Sequence, residues 1–151
     1  MPNELYEAYR TAAIALSVTA AVYIAIQIAA YLRIFAKAGQ AGWKCLVPVL
    51  SQYTAFKIAW KPSMFFAALI ITIADGIFIL LASLFAELTF LLIWLIMLAS
   101  AAAVIMGIAF THKLSRAFGH GTAFTFGLVL LEPIFILVLA FGRSEYHGPD
   151  L

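Results

Sequence analysis

The stretch AKAGQAGWKCLVPVLSQYTAFKIAWK, residues 36–61, is apolar enough to enter a bilayer yet carries four lysines and a proline. Whether it crosses the membrane, loops through water or lies along the surface sets the topology of everything around it. Composition makes a bilayer the relevant solvent. Hydrophobic residues are 66% of the chain and charged residues 11%, with a mean hydropathy of +1.07, far outside the soluble globular range. With 151 residues and several runs longer than the ~20 apolar residues that cross a hydrocarbon core, no room is expected for a separate soluble domain. The fold class that follows is all-α, an integral membrane bundle forming a single transmembrane domain over residues 1–151.

Three long apolar runs flank the opening stretch. TAAIALSVTAAVYIAIQIAAYLRIF, residues 11–35, follows MPNELYEAYR, which is too acidic for the start of a secretory signal, so the run reads as a retained span. Residues 63–110 would make a single helix about 70 Å long and must fold back. The turn expected is SLFAELT, residues 83–89, with Glu87 its only charge, giving spans over residues 63–84 and 89–111. The last run, TAFTFGLVLLEPIFILVLAF, residues 122–141, follows a helix stop at Gly119 and an N-cap at Thr122, and reads as a fourth span.

Basic residues beside spans stay on the cytoplasmic side. With four spans, Arg33, Lys37, Lys44, Lys57, Lys61, Lys113 and Arg116 all fall on one side. Only Arg10 and Arg143 fall on the other, beside Glu4, Glu7, Glu87, Glu145 and Asp150. A fifth span through the opening stretch would carry Lys57 and Lys61 across and spoil that division. The stretch therefore reads as a cytoplasmic amphipathic helix over residues 48–60 lying in the interface. Leu50, Tyr53, Phe56 and Trp60 recur at helical spacing there, while Lys44, Lys57, Lys61, Trp43 and Trp60 anchor it at headgroup level. Both termini are expected outside, in a multi-pass protein of the bacterial cytoplasmic membrane.

KAGQAGWKCLVPVLSQY, residues 37–53, carries Lys-Ala-Gly-x-x-Gly-Trp followed by Pro and then Tyr, and is similar to that segment of a bacterial family of small polytopic membrane proteins of unknown function. HKLSRAFGHGTAFTFGLVLL, residues 112–131, is similar to its Ala-Phe-Gly-Lys-x-Thr-x-Phe segment, and LAFGRSEYHGP, residues 139–149, to its Phe-Gly-x-x-x-Tyr ending. The resemblance implies a fold and a membrane location, and brings no catalytic residues. Members are sometimes labelled signal-peptidase-like. Such chemistry needs an outer-side serine beside a lysine base. Here the outer-side serines near a boundary are Ser83 and Ser144, and every lysine is expected on the cytoplasmic side, so no enzyme is expected. The single cysteine, Cys45, matches no zinc or redox spacing, and His112 and His120 are eight apart, without the i, i+4 relation of a metalloprotease helix. Neither metal nor cofactor is expected, and a net charge of +2 is too small to suggest nucleic acid.

The remaining polar set lies at bilayer depth. Asp75 is near the middle of the second span and Glu132 near the middle of the fourth, with Gln27 and Tyr23 of the first span at similar depth. An ionised carboxylate there costs ~2.5 kcal/mol or more unless it faces the bundle or water. Pro133 should kink the fourth span and free the carbonyl of Val129. The two carboxyls either hold a cation or proton between them or simply hydrogen-bond between helices. Small residues repeat every four positions at Ala13, Ser17, Ala21, Ala25 and Ala29 in the first span, and at Ala99, Ala103 and Gly107 in the third. That spacing lets helix backbones approach closely, within the bundle by default or against a second copy. Two functions stay open: a non-enzymatic scaffold or accessory subunit docking a membrane-protein partner, or an ion, proton or solute transporter component built on Asp75 and Glu132.

Overall fold

A computed structural model describes the backbone of residues 2–149 and the side chains from residue 4 onward. The chain is helical: α1 Pro2–Lys37, α2 Pro48–Ala59, α3 Pro62–Leu84, α4 Thr89–Ala117, α5 Thr122–Leu130 and α6 Glu132–Phe141, with short 3₁₀ turns at Gly42–Leu46 and Ala86–Leu88. Among the described residues three helical segments are long and apolar enough to cross a membrane: Glu4–Lys37, Pro62–Leu84 and Ala86–Ala117.

α1 ends where the sequence supplies a left-handed residue. Gly39 has φ 67°, the Gly39 amide donates to the Ala36 carbonyl at 3.0 Å, and the Gln40 amide donates to the Phe35 carbonyl at 2.8 Å. That pair of bonds satisfies the terminal carbonyls of the helix. α4 stops by the same device at Gly119 (φ 75°), whose amide donates to Arg116 at 2.9 Å while the His120 amide donates to Ser115 at 3.0 Å. With no breaker before Gly119, α4 runs on past residue 111, so Lys113 and Arg116 lie in its last turns and not in a loop. The α3–α4 turn falls where expected, within residues 83–89. There the Thr89 hydroxyl donates to the carbonyls of Ala82 (3.3 Å) and Phe85 (3.2 Å). α2 starts with Pro48 in its first turn and buries Thr54, Phe56, Ile58 and Ala59; Leu50 and Tyr53 are half-buried. Its 12 residues are too few to cross a bilayer.

The last apolar run departs from the single span expected over residues 122–141. Leu131 leaves the helical region (φ −131°, ψ 45°) and the chain turns back on itself. The rings of Phe124 on α5 and Phe135 on α6 meet at 5.0 Å, whereas one continuous helix would hold those positions about 16 Å apart. Pro133 is the reason a break costs little here. In the interior of a span its missing N–H would strand a carbonyl, but in the first turn of α6 no donor is needed. Thr122, expected as an N-cap, is the first residue of α5, and Gly121 occupies the cap position.

This hairpin corrects the relation between the termini. α6 ends beside Lys37, and the following tail returns to the last turn of α4, where the His147 amide donates to the Ala117 carbonyl at 2.8 Å. The tail therefore lies at the Lys37 end of α1, while Pro2 lies at the far end of a helix about 54 Å long. Pro2 and the tail around His147 therefore occupy opposite ends of the molecule, where four spans would bring them to the same one.

Candidate functional site

The three sequence segments that carry the family-like motifs converge at one end of the molecule. Lys37, last residue of α1, donates to the carbonyls of Leu139 (2.9 Å), Gly142 (2.9 Å) and Ser144 (3.2 Å). An ammonium has three donors, and these three bonds use them all on carbonyls that the end of α6 leaves without helical partners. Arg33, one turn earlier, sits over the Phe141 ring at 5.1 Å. The tail is then fastened to the other helices. The Tyr146 hydroxyl donates to the Ile58 carbonyl of α2 at 3.0 Å, its ring lies 5.3 Å from that of Phe118, and burial pushes its phenol up from the usual range. His120 stacks on Phe124 at 4.1 Å and shares a 2.7 Å hydrogen bond with the Ser144 hydroxyl.

Ser144 is thus a close neighbour of Lys37, contrary to the expectation that they stand on opposite sides. The contact runs to the serine's carbonyl; its hydroxyl goes to His120. Ser83 donates to the Leu80 carbonyl at 2.7 Å. The residues expected to anchor the segment are at the same end: Lys113 lies over the Trp60 ring at 5.9 Å, Lys44 donates to the Gln40 side chain at 3.2 Å, and Trp43, Lys57 and Lys61 are exposed.

The two carboxylates thought to share a site do not share a partner. Asp75 on α3 accepts from Ser100 of α4 at 3.0 Å, and its other oxygen, Oδ1, is buried without a hydrogen-bond partner among the described residues. Glu132 stands at the tip of the α5–α6 hairpin, where its carboxylate accepts from the Tyr31 hydroxyl of α1 at 3.4 Å. α6 packs on α1 and α5 and does not pack on α3. Tyr31 is one and two helical turns along α1 from Gln27 and Tyr23, on the face those residues define. The sequence pointed to that face and missed the depth, because a hairpin tip meets α1 lower than the centre of a full span would.

Glu132 and Tyr31 line a groove of about 520 Å³ that runs between α1 and α4, with Cys45, Ser51 and Gln52 of the 3₁₀ turn and α2 at its other end. Gly107 of the α4 small-residue series lines this groove, and with Ala103 it also lines a smaller crevice against α3. The α1 series is placed otherwise: Ala13, Ser17, Ala21 and Ala25 are all exposed, and the first buried residue of the helix is Ala30. The Ser17 hydroxyl turns back to the Ala13 carbonyl at 2.8 Å.

Residues 43–149 match a family described as a family of unknown function (DUF5684), and the chain belongs to it. No protein of curated function and no solved structure matches the chain.

Proposed function

We propose that this member of a family of unknown function is a non-enzymatic accessory subunit of a membrane assembly, which offers the outer part of α1 to a neighbouring transmembrane helix. The observation that carries the reading is the isolation of that helix. Residues 4–26 are uncovered by the rest of the chain on every side, because α6, against which α1 packs, reaches only to Tyr31. With Ala13, Ser17, Ala21 and Ala25 along one line, this free stretch has a face on which another backbone can approach closely.

The membrane placement behind this reading has three spans and a re-entrant hairpin. The arms α5 and α6 are about 15 Å long, half of a ~30 Å hydrocarbon core, so the hairpin enters and leaves on one side. Arg143 then joins Arg33, Lys37, Lys44, Lys57, Lys61, Lys113 and Arg116, and only Arg10 of the nine basic residues is at the other end. Such a division supports a cytoplasmic location for the tail, α2 and the Lys37 end, with α2 lying at the interface, and an N-terminus outside. The engagement of all three Lys37 donors by carbonyls supports a structural role for that lysine over a basic one.

The test is in-membrane crosslinking. In a Cys45→Ser background, Ala21→Cys should give a specific disulfide- or bismaleimide-linked adduct in native membranes, to a second copy or to another protein, without loss of thermal stability. If the protein stays uncrosslinked there and at Ser17→Cys and Ala25→Cys, the docking role of α1 is wrong.

A further inference from the structure

The groove beside the hairpin has a chemistry that the docking role of α1 does not use. Its walls are mostly apolar, with Phe35, Phe110 and Tyr31 contributing aromatic surface, and Glu132 is the only charged residue among those that line it. No basic residue lines it among the described residues. Its volume of about 520 Å³ falls within the ~300–1,000 Å³ of small-molecule sites. α1 packs on the 3₁₀ turn Gly42–Leu46, α2 and α6 but on neither α3 nor α4, so the α1 and α4 walls of the groove stand apart.

We propose that this groove binds a hydrophobic organic cation entering from the bilayer, with its body between α1 and α4 and its positive charge beside Glu132. A carboxylate at this depth is costly without a counter-charge, and no lysine or arginine of the groove supplies one. An inorganic cation would need several oxygen ligands to replace its water, whereas Glu132 meets only the Tyr31 hydroxyl there. An organic cation carries little hydration to lose, and the aromatic rings attract it as the carboxylate does. Anionic lipid is disfavoured by the same charge, and a neutral acyl chain would leave it unmatched.

Two features permit a test on the intact chain. Cys45, the only cysteine, lines the groove and is free, so it reports occupancy. Burial pushes its thiol up, so labelling is best followed at alkaline pH. Gly107 has open space where a Cβ would project, so Gly107→Phe can fill the groove without altering charge.

The experiment measures binding of tetraphenylphosphonium, and of the similarly shaped anion tetraphenylborate, to the purified full-length protein in nanodiscs. The expected result is saturable binding of the cation alone. Glu132→Gln should weaken it at least tenfold, Gly107→Phe should abolish it, and Asp75→Asn should leave it unchanged. The cation should also slow maleimide labelling of Cys45 in the unmutated protein, which decides the matter even if a variant fails to fold. Equal uptake of both ions, no protection of Cys45, or full binding by a folded Glu132→Gln protein would overturn the proposal.

Discussion

The two ends of this molecule are built on different terms. At the Lys37 end, α1, α2, α4 and the hairpin are tied together by side chains that cross between elements: Lys37 to three carbonyls, Tyr146 to Ile58, His120 to Ser144. At the far end the α3–α4 pair turns back through residues 83–89, and α1 continues past the hairpin tip with its residues 4–26 exposed among the described residues. In lipid, burial of apolar surface gives little drive for helices to associate, so packing and interhelical hydrogen bonds decide which helices stay together. The Lys37 end has those bonds. The far part of α1 makes no such bond among the described residues, and it is there that the proposed partner helix would pack.

The contrast should break most easily at Lys37. Lys37→Met keeps an apolar chain of similar length and removes all three donors at once. The expected loss is about 3 kcal/mol of stability, measured by thermal or denaturant unfolding in detergent, since hydrogen bonds from a charged group contribute ~1.5–3 kcal/mol each and interfacial water restores part. A variant as stable as the original would show that the tail is held by packing alone.

A smaller effect sharpens the claim that the hairpin arms are pressed together. A Cβ at Gly127 would land on the Phe135 ring, so Gly127→Ala should cost about 1–3 kcal/mol through overpacking. Phe135→Ala opens the space, and the double variant should lose less than the sum of the single losses. Strict additivity would mean that the two arms do not touch.

Much of this architecture is legible in the residues, for reasons that are local. Gly39 and Gly119 end helices because each supplies the left-handed conformation that the closing bonds require. The length of residues 63–110 forces a fold-back, and Pro48 opens a separate helix, Pro48–Ala59, whose 12 residues are too few to cross a bilayer. The last run misleads because length and apolarity alone match a full span. Glu132 and Pro133 mark a weakness, but a kink and a complete reversal begin with the same two residues. What distinguishes them is tertiary: a small residue at Gly127 to receive Phe135, and a lysine at the end of another helix to cap α6. Equal depth along the sequence pairs Asp75 with Glu132 but says nothing about azimuth; Asp75 turns to Ser100 across the α3–α4 seam, and Glu132 to Tyr31.

Sidedness of the C-terminal tail relative to residue 4 and to α2 distinguishes a re-entrant hairpin from a full span. Single cysteines in a Cys45→Ser background, at Glu4, Lys57 and Glu145, can be labelled in intact cells with a membrane-impermeant maleimide. A re-entrant hairpin predicts that the position at residue 4 is labelled from outside, while those at 57 and 145 react only after the membrane is opened. Labelling of residue 145 from outside, with residue 57 still protected, would show that residues 122–141 cross the bilayer and would contradict the hairpin.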